Sequence, residues 1–200
     1  MEPNADRSGV VFGVELSVPA KGGNAAQKRE HDKRLAAGTM SRSGAKCPCC
    51  GTIMTMEDIR VEGKAGRLSQ VLTCVITEDT TGKIYRLPTP CETEIALKAE
   101  LLLPEVFANL PYGELTEPTP KGGNGASRAF SVQNYGWDQW RKLFSPRQLL
   151  VLGTLAKQIR IAGLNDLANL ESEWRDAIVS YLALLLDKTA DYGSMVCTWH

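Results

Sequence analysis

The residues with the most evident chemistry stand in one short run, Lys46-Cys47-Pro48-Cys49-Cys50-Gly51, a Cys-Pro-x-Cys-Gly knuckle. Pro48 and Gly51 suit a tight turn that aims two sulfurs at one point and lets backbone amides hydrogen-bond to them. Two thiolates make half of a tetrahedral zinc site, and zinc takes four ligands. The expected metal ligands are Cys47 and Cys50, with Cys49 either off the metal or a substitute ligand. Cys74, Cys91 and Cys197 stand singly, so no second knuckle completes the set. Two readings follow: a zinc half-site that takes ligands from elsewhere, or a reduced pair that holds no metal. Cys74 lies in an apolar run and reads as a small buried hydrophobe. His31 qualifies as a ligand by type alone and sits in a charged stretch, where a solvated role is the simpler account. A complete zinc site adds on the order of 10 kcal/mol to folding. A module with only half of one must be marginal, borrow ligands or rest on neighbouring structure, and the third is expected.

The elements that must position the knuckle are short. Val10–Leu16 reads as one strand, and Pro19–Ser43 is polar, Gly-rich and charged, a solvated helix or a weakly ordered arm. After the knuckle, Asp58-Ile59-Arg60-Val61, Gln70–Thr77 and Lys83–Leu87 carry β-forming residues punctuated by Gly63, Gly66 and Thr81-Gly82. Glu78–Gly82 has the residues of a hairpin turn. Pro88-Thr89-Pro90 ends this β module. Glu92–Ala99 can form a short helix that Pro104 limits. Residues 111–134 are rich in Pro, Gly and Asn, including Lys121-Gly122-Gly123-Asn124-Gly125, and read as a linker. Beyond it the chain is helical. Ser145-Pro146 is a helix start, Leu149, Leu152, Leu155, Ala156 and Ile159 recur at helical spacing, and Gly163 is the expected stop. A second helix is expected over Asn169–Lys188, with Trp174, Ile178, Tyr181, Leu182 and Leu185 on one stripe. That stripe is either core or a docking surface for a further domain. The expected fold class is therefore α+β, with a poorly ordered segment over 1–43, a β module with a short helix over 44–110, a linker over 111–134 and a helical segment over 135–200.

Lysine plus arginine and aspartate plus glutamate number 23 each, so no global field points to nucleic acid or membrane. The longest apolar runs are too short to span a bilayer, and the N-terminus lacks the pattern of a signal peptide. Those features favour the cytoplasm, where thiols stay reduced and a Cys pair favours metal over disulfide. Local contacts to nucleic acid are a separate matter. Arg60, Lys64, Arg67 and Arg86 surround the β module and suit phosphates, although Glu57, Asp58 and Glu62 interleave them. Trp137 and Trp140 with Arg141, Lys142 and Arg147 form the best aromatic–basic cluster. Trp137, Trp140 and Phe144 also fit one helical face, where packing is the competing role. The nucleic-acid candidates are Arg67, Trp140, Arg141 and Arg147.

Several blocks in register carry a family likeness. These are Ser43–Gly51 leading into Ile59–Leu68, then Ile84–Pro90, Tyr135–Trp140, Leu143–Leu150, Tyr181–Lys188 and Ala190-Asp191-Tyr192. In this order they resemble the middle of the bacterial and archaeal adenine-specific DNA methylases that contain a Zn-ribbon, over about Gly38–His200. The resemblance implies an S-adenosylmethionine-dependent enzyme whose Rossmann-like catalytic domain is interrupted by this Zn-ribbon region. It places the glycine-rich cofactor motif and the first cysteine knuckle before the region, and the Asp-Pro-Pro-Tyr catalytic motif after it. No such runs occur in this chain. The resemblance thus implies a part of a methyltransferase that is inert alone, with no catalytic and no cofactor-binding residue of its own. DNA would be the partner of the complete enzyme, and companion polypeptides would carry the missing motifs. A small zinc-dependent nucleic-acid-binding or adaptor protein is the alternative.

Overall fold

The computed structural model describes residues 1–14, 24–35, 38–108, 110, 111, 113–120 and 131–197. The chain is α+β and divides into two compact units, Met1–Thr89 and Pro90–His200. Glu15, Leu16 and the Lys121–Gly125 run lie outside the described residues.

The first unit is built from small antiparallel sheets. β1 (Glu2–Pro3) pairs with β2 (Val10–Val11), and α1 (Ala25–Leu35) follows. The strand expected over Val10–Leu16 is thus confined to Val10 and Val11 among the described residues. α1 begins at a reciprocal cap: Asn24 Oδ1 accepts from the Ala26 and Gln27 amides, and Gln27 Oε1 accepts from the Asn24 amide. β3 (Met40–Ser41), β4 (Gly44–Lys46) and β5 (Ile53–Met54) make a three-stranded meander with the knuckle between β4 and β5. Its register sets Ser41 against Gly44 and Lys46 against Ile53. β6 (Val75–Asp79) and β7 (Gly82–Arg86) close the expected hairpin, with Asp79 opposite Gly82 and a two-residue turn. Asp79 Oδ1 accepts from the Thr81 amide and hydroxyl, which fixes that turn locally.

One expected strand is a helix. Asp58–Val61 belongs to α2 (Met56–Lys64). Alternation of Ile59 and Val61 over four residues is too short to separate the two periods, and the cap decides. Thr55 Oγ1 accepts from the Asp58 amide at 3.2 Å, and Asp58 Oδ2 accepts from the Thr55 amide at 2.8 Å. Such a capping box is worth about 1 kcal/mol. The helix ends where Gly66 takes φ +70°, a left-handed conformation that glycine adopts without strain. Among the described residues of this unit no large apolar side chain is buried.

The second unit holds the core. α3 (Pro90–Phe107) packs on α4 (Pro146–Ile161), and α4 packs on α5 (Ser172–Gly193). Leu103, Phe107 and Leu149 form the centre, with Val106, Leu110, Phe144 and Leu150 against it. α3 runs through Pro104, where a shorter helix was expected. An internal proline costs about 3 kcal/mol. Burial of Leu103 and Phe107 on either side returns roughly 1.5–3 kcal/mol each, enough to keep the helix intact. α4 starts as expected, with Ser145 and Gln148 in a reciprocal cap and Pro146 in the first turn.

Gly163 does not stop that helix. The chain continues as a π-helical turn, Ala162–Asp166, and a Cβ at Gly163 would lie 2.9 Å from Val179 Cγ2. Its role is close approach to α5. Gly153 serves α3 in the same way, since a Cβ there would sit 2.7 Å from Val106 Cγ1 and 3.0 Å from the Phe107 ring. Gly153→Ala is expected to lower stability by about 1–2 kcal/mol, because overpacking of ~1–3 kcal/mol outweighs the gain in helix propensity of up to ~1 kcal/mol. Urea unfolding followed by far-UV circular dichroism checks it, and a stabilised variant would contradict the close contact.

Two further expectations change. Trp137, Trp140 and Phe144 do not share a helix; the segment is two short 3-10 turns, Val132–Tyr135 and Trp140–Leu143. Of the α5 stripe expected to be core or a docking surface, Trp174 (67% exposed), Tyr181 (73%) and Leu185 (64%) are turned outward, and Leu182 is half-buried. The half-buried residues Val179, Leu182, Leu186 and Ala190 form a second stripe instead. Within the stretch read as a linker, Thr119 is buried. Its hydroxyl donates to the Trp137 carbonyl at 3.0 Å and its amide to the Asp138 carbonyl at 2.9 Å.

Candidate metal centre

The knuckle is a hairpin loop shaped by main-chain hydrogen bonds. The Cys47 amide donates to the Thr52 carbonyl at 2.8 Å, and the Gly51 amide donates to the Cys47 carbonyl at 2.9 Å. Gly51 closes the turn at φ +78°, and nothing but the Lys46 Cε tip lies within 4 Å of where its Cβ would be. The loop borders an open depression of about 640 Å³ that Arg7, Lys46, Cys47, Cys49 and Cys50 help to line.

The three sulfurs differ in environment. Cys47 lies within hydrogen-bonding reach of both Cys49 and Cys50. Cys50 Sγ is 3.3 Å from Thr52 Oγ1. Hydrogen bonds from the Thr52 hydroxyl, then from the Thr52 amide and the Cys47 thiol, hold the Cys50 thiol down to about 7. Cys49 goes the other way: desolvation pushes its thiol up, and the neighbouring Cys47 sulfur adds to the effect. Cys49 Sγ donates to the Gly9 carbonyl at 3.2 Å, a bond that a metal-bound thiolate cannot make. Arg7, at φ +57° in the turn before β2, donates from Nη1 to the Cys49 carbonyl at 3.3 Å. Cys49 therefore ties the knuckle to the N-terminal hairpin, while the Cys50 sulfur faces Thr52.

Donor chemistry here fits half of a zinc site. Among the described residues no three or more His, Cys, Asp or Glu side chains gather as a metal-binding group. Cys74 donates to the Val75 carbonyl at 3.6 Å, and Cys91 and Cys197 are exposed. His31 Nε2 is shut from solvent with no hydrogen-bond partner among the described residues. The contributions of Arg7 and Gly9 were not legible from spacing, because only folding of the N-terminal hairpin brings them to the knuckle.

The depressed Cys50 value makes a pH prediction for the metal-free protein. A thiol whose folded pKa lies below its ordinary value favours the folded knuckle fully above that ordinary value, 9.0, and loses the benefit as pH falls through about 7. Iodoacetamide alkylation of Cys50, read by peptide mass spectrometry, should reach half its maximal rate near pH 7. Thr52→Ala should move the midpoint upward. A midpoint at the ordinary thiol value in the unaltered protein would remove the role given to Thr52.

Of the residues expected to meet nucleic acid, Arg67 and Arg141 are paired with carboxylates, while Trp140 and Arg147 keep exposed surface. Arg67 makes a paired contact to Glu62, Nε to Oε2 at 2.6 Å and Nη2 to Oε1 at 2.8 Å. Arg141 pairs with Glu114 and lies 3.6 Å from Glu100. Trp140 donates its amide to the Glu117 carbonyl at 3.1 Å and keeps 37% of its surface exposed. Arg147 is exposed in the first turn of α4. Asp191 and Tyr192 engage Lys188, by an ion pair of 3.0 Å and by an ammonium 4.2 Å from the ring centre. No described helix is long and apolar enough to cross a membrane. No protein-family model, curated protein or solved structure matches this chain, so a functional reading rests on the knuckle and on the motif blocks themselves.

Proposed function

We propose that Cys47 and Cys50 supply two of four thiolates to a structural zinc. On this reading the chain is the Zn-ribbon-like and helical part of an S-adenosylmethionine-dependent adenine-specific DNA methyltransferase. One observation carries the metal reading: the first unit buries no large apolar side chain among its described residues, yet folds its central meander around a thiol turn. A module of that kind needs another source of stability, and bound zinc contributes on the order of 10 kcal/mol. When bound, zinc would act by structure, clamping β4 to β5 through the knuckle. The methyltransferase context comes from the ordered motif blocks. Base extrusion, donor binding and methyl transfer would all use residues of companion polypeptides.

The chain alone is expected to hold less than half an equivalent of zinc and to transfer no methyl group from labelled S-adenosylmethionine to DNA. Co-expression with a polypeptide bearing the cofactor and Asp-Pro-Pro-Tyr motifs should raise zinc toward one equivalent and yield adenine methylation. Cys47→Ser should then abolish the zinc. Methyl transfer by the chain alone would refute the reading, as would a full four-coordinate zinc built from it alone. The adaptor alternative has against it that Arg67 and Arg141 are both engaged by carboxylates, so a phosphate would have to displace them.

A further inference from the structure

We propose that the outward stripe of α5 is a self-association seam through which two copies of this chain pair antiparallel. The inference is independent of the zinc and methyltransferase readings. Trp174, Ile178, Tyr181, Leu185, Lys188 and Tyr192 recur at alternating spacings of four and three, the pattern of a coiled-coil seam. At 100° per residue they fall within about 80° of arc, and the stripe of Val179, Leu182, Leu186 and Ala190 is centred about 120° away. The helix therefore carries two apolar faces. Val179, on the second, lies against Gly163, while the seam is open: Trp174 is 67% exposed, Tyr181 73%, Leu184 and Leu185 64% each, and Tyr192 58%.

Area and symmetry favour a second copy as the occupant. Covering the seam with Leu184 would remove on the order of 600 Å² per chain, hence ~1,200 Å² for a pair, at the lower edge of specific interfaces. The pattern is self-complementary about Ala183, with an aromatic at each end. An antiparallel pair sets Trp174 beside Tyr192 of the second copy, and Leu184 meets its own equivalent across the two-fold axis. The same arrangement sets Lys188 beside Ile178 of the second copy, where its stem packs and its ammonium keeps its ion pair with Asp191. A parallel pair would set Lys188 against Lys188, a like-charge contact.

Sedimentation of the full chain under reducing conditions tests this. Across the micromolar range the mass should rise from 21.8 kDa to twice that. Leu185→Glu and Tyr181→Glu, both at exposed positions, should weaken association at least tenfold with helix content unchanged. Leu101→Glu, at the most exposed leucine of α3 (78%), should leave it intact. A chain that stays at 21.8 kDa overturns the proposal and leaves the seam to another occupant, such as the rest of a larger enzyme. A dimer that survives Leu185→Glu overturns it as well, because association then uses a different surface.

Discussion

Leu103→Ala is expected to remove about 2–5 kcal/mol from the stability of the second unit. Leu103 is 1% exposed and stands at the centre of the contact between α3 and α4, against Phe107 and Leu149. Loss of three heavy atoms to alanine forfeits their transfer free energy and leaves a cavity that two helices held by Gly153 cannot close. Domains of this size are stable by only about 5–15 kcal/mol, so the variant should unfold at far lower urea. Leu103→Met, which keeps the volume, should cost less than about 1.5 kcal/mol. Urea titrations of both variants by far-UV circular dichroism measure the difference. A loss below about 1 kcal/mol for Leu103→Ala would mean that the core is not where the buried surface places it.

Gly44→Ala should unravel the knuckle hairpin. Gly44 has φ +130°, a conformation essentially restricted to glycine, and a Cβ would lie 2.0 Å from the Met54 carbonyl oxygen. Strain of about 1–3 kcal/mol adds to a collision worth roughly as much, and the obstacle is backbone that cannot rotate aside. The strand it would displace is β5, whose pairing with β4 brings Thr52 to Cys50. Cys50 alkylation should then lose its low-pH midpoint and follow that of an ordinary thiol. Gly51→Ala meets open space apart from the Lys46 tip, so only the cost of its positive φ applies, on the order of 1 kcal/mol. Nuclear magnetic resonance shifts of residues 44–54 would separate the two variants. Equal effects from both would deny Gly44 its steric role.

Local chemistry explains most of what could be read in advance. The Ser145 cap, the turn at Asp79–Gly82 and the knuckle itself were legible because each is closed by residues within a few positions of one another. The misreadings share one cause. Ile59 and Val61 fit either period, and the Thr55–Asp58 cap tips them to helix. Pro104 reads as a terminus until the burial of Leu103 and Phe107 is weighed against it. Trp174, Ile178 and Tyr181 form an apolar stripe that periodicity cannot assign to inside or outside, because α5 has a second stripe and only packing selects between them.

By itself, then, the order of residues determined the α+β class, the two-thiol turn and the start of α4, all consequences of backbone preference and short-range hydrogen bonding. Tertiary structure alone decided that Cys49 serves the N-terminal hairpin, that Arg141 is engaged by Glu114, and which face of α5 stays open. Those outcomes depend on contacts between residues far apart in the chain or on competition between equivalent faces. Spacing and composition do not encode either without the packed arrangement.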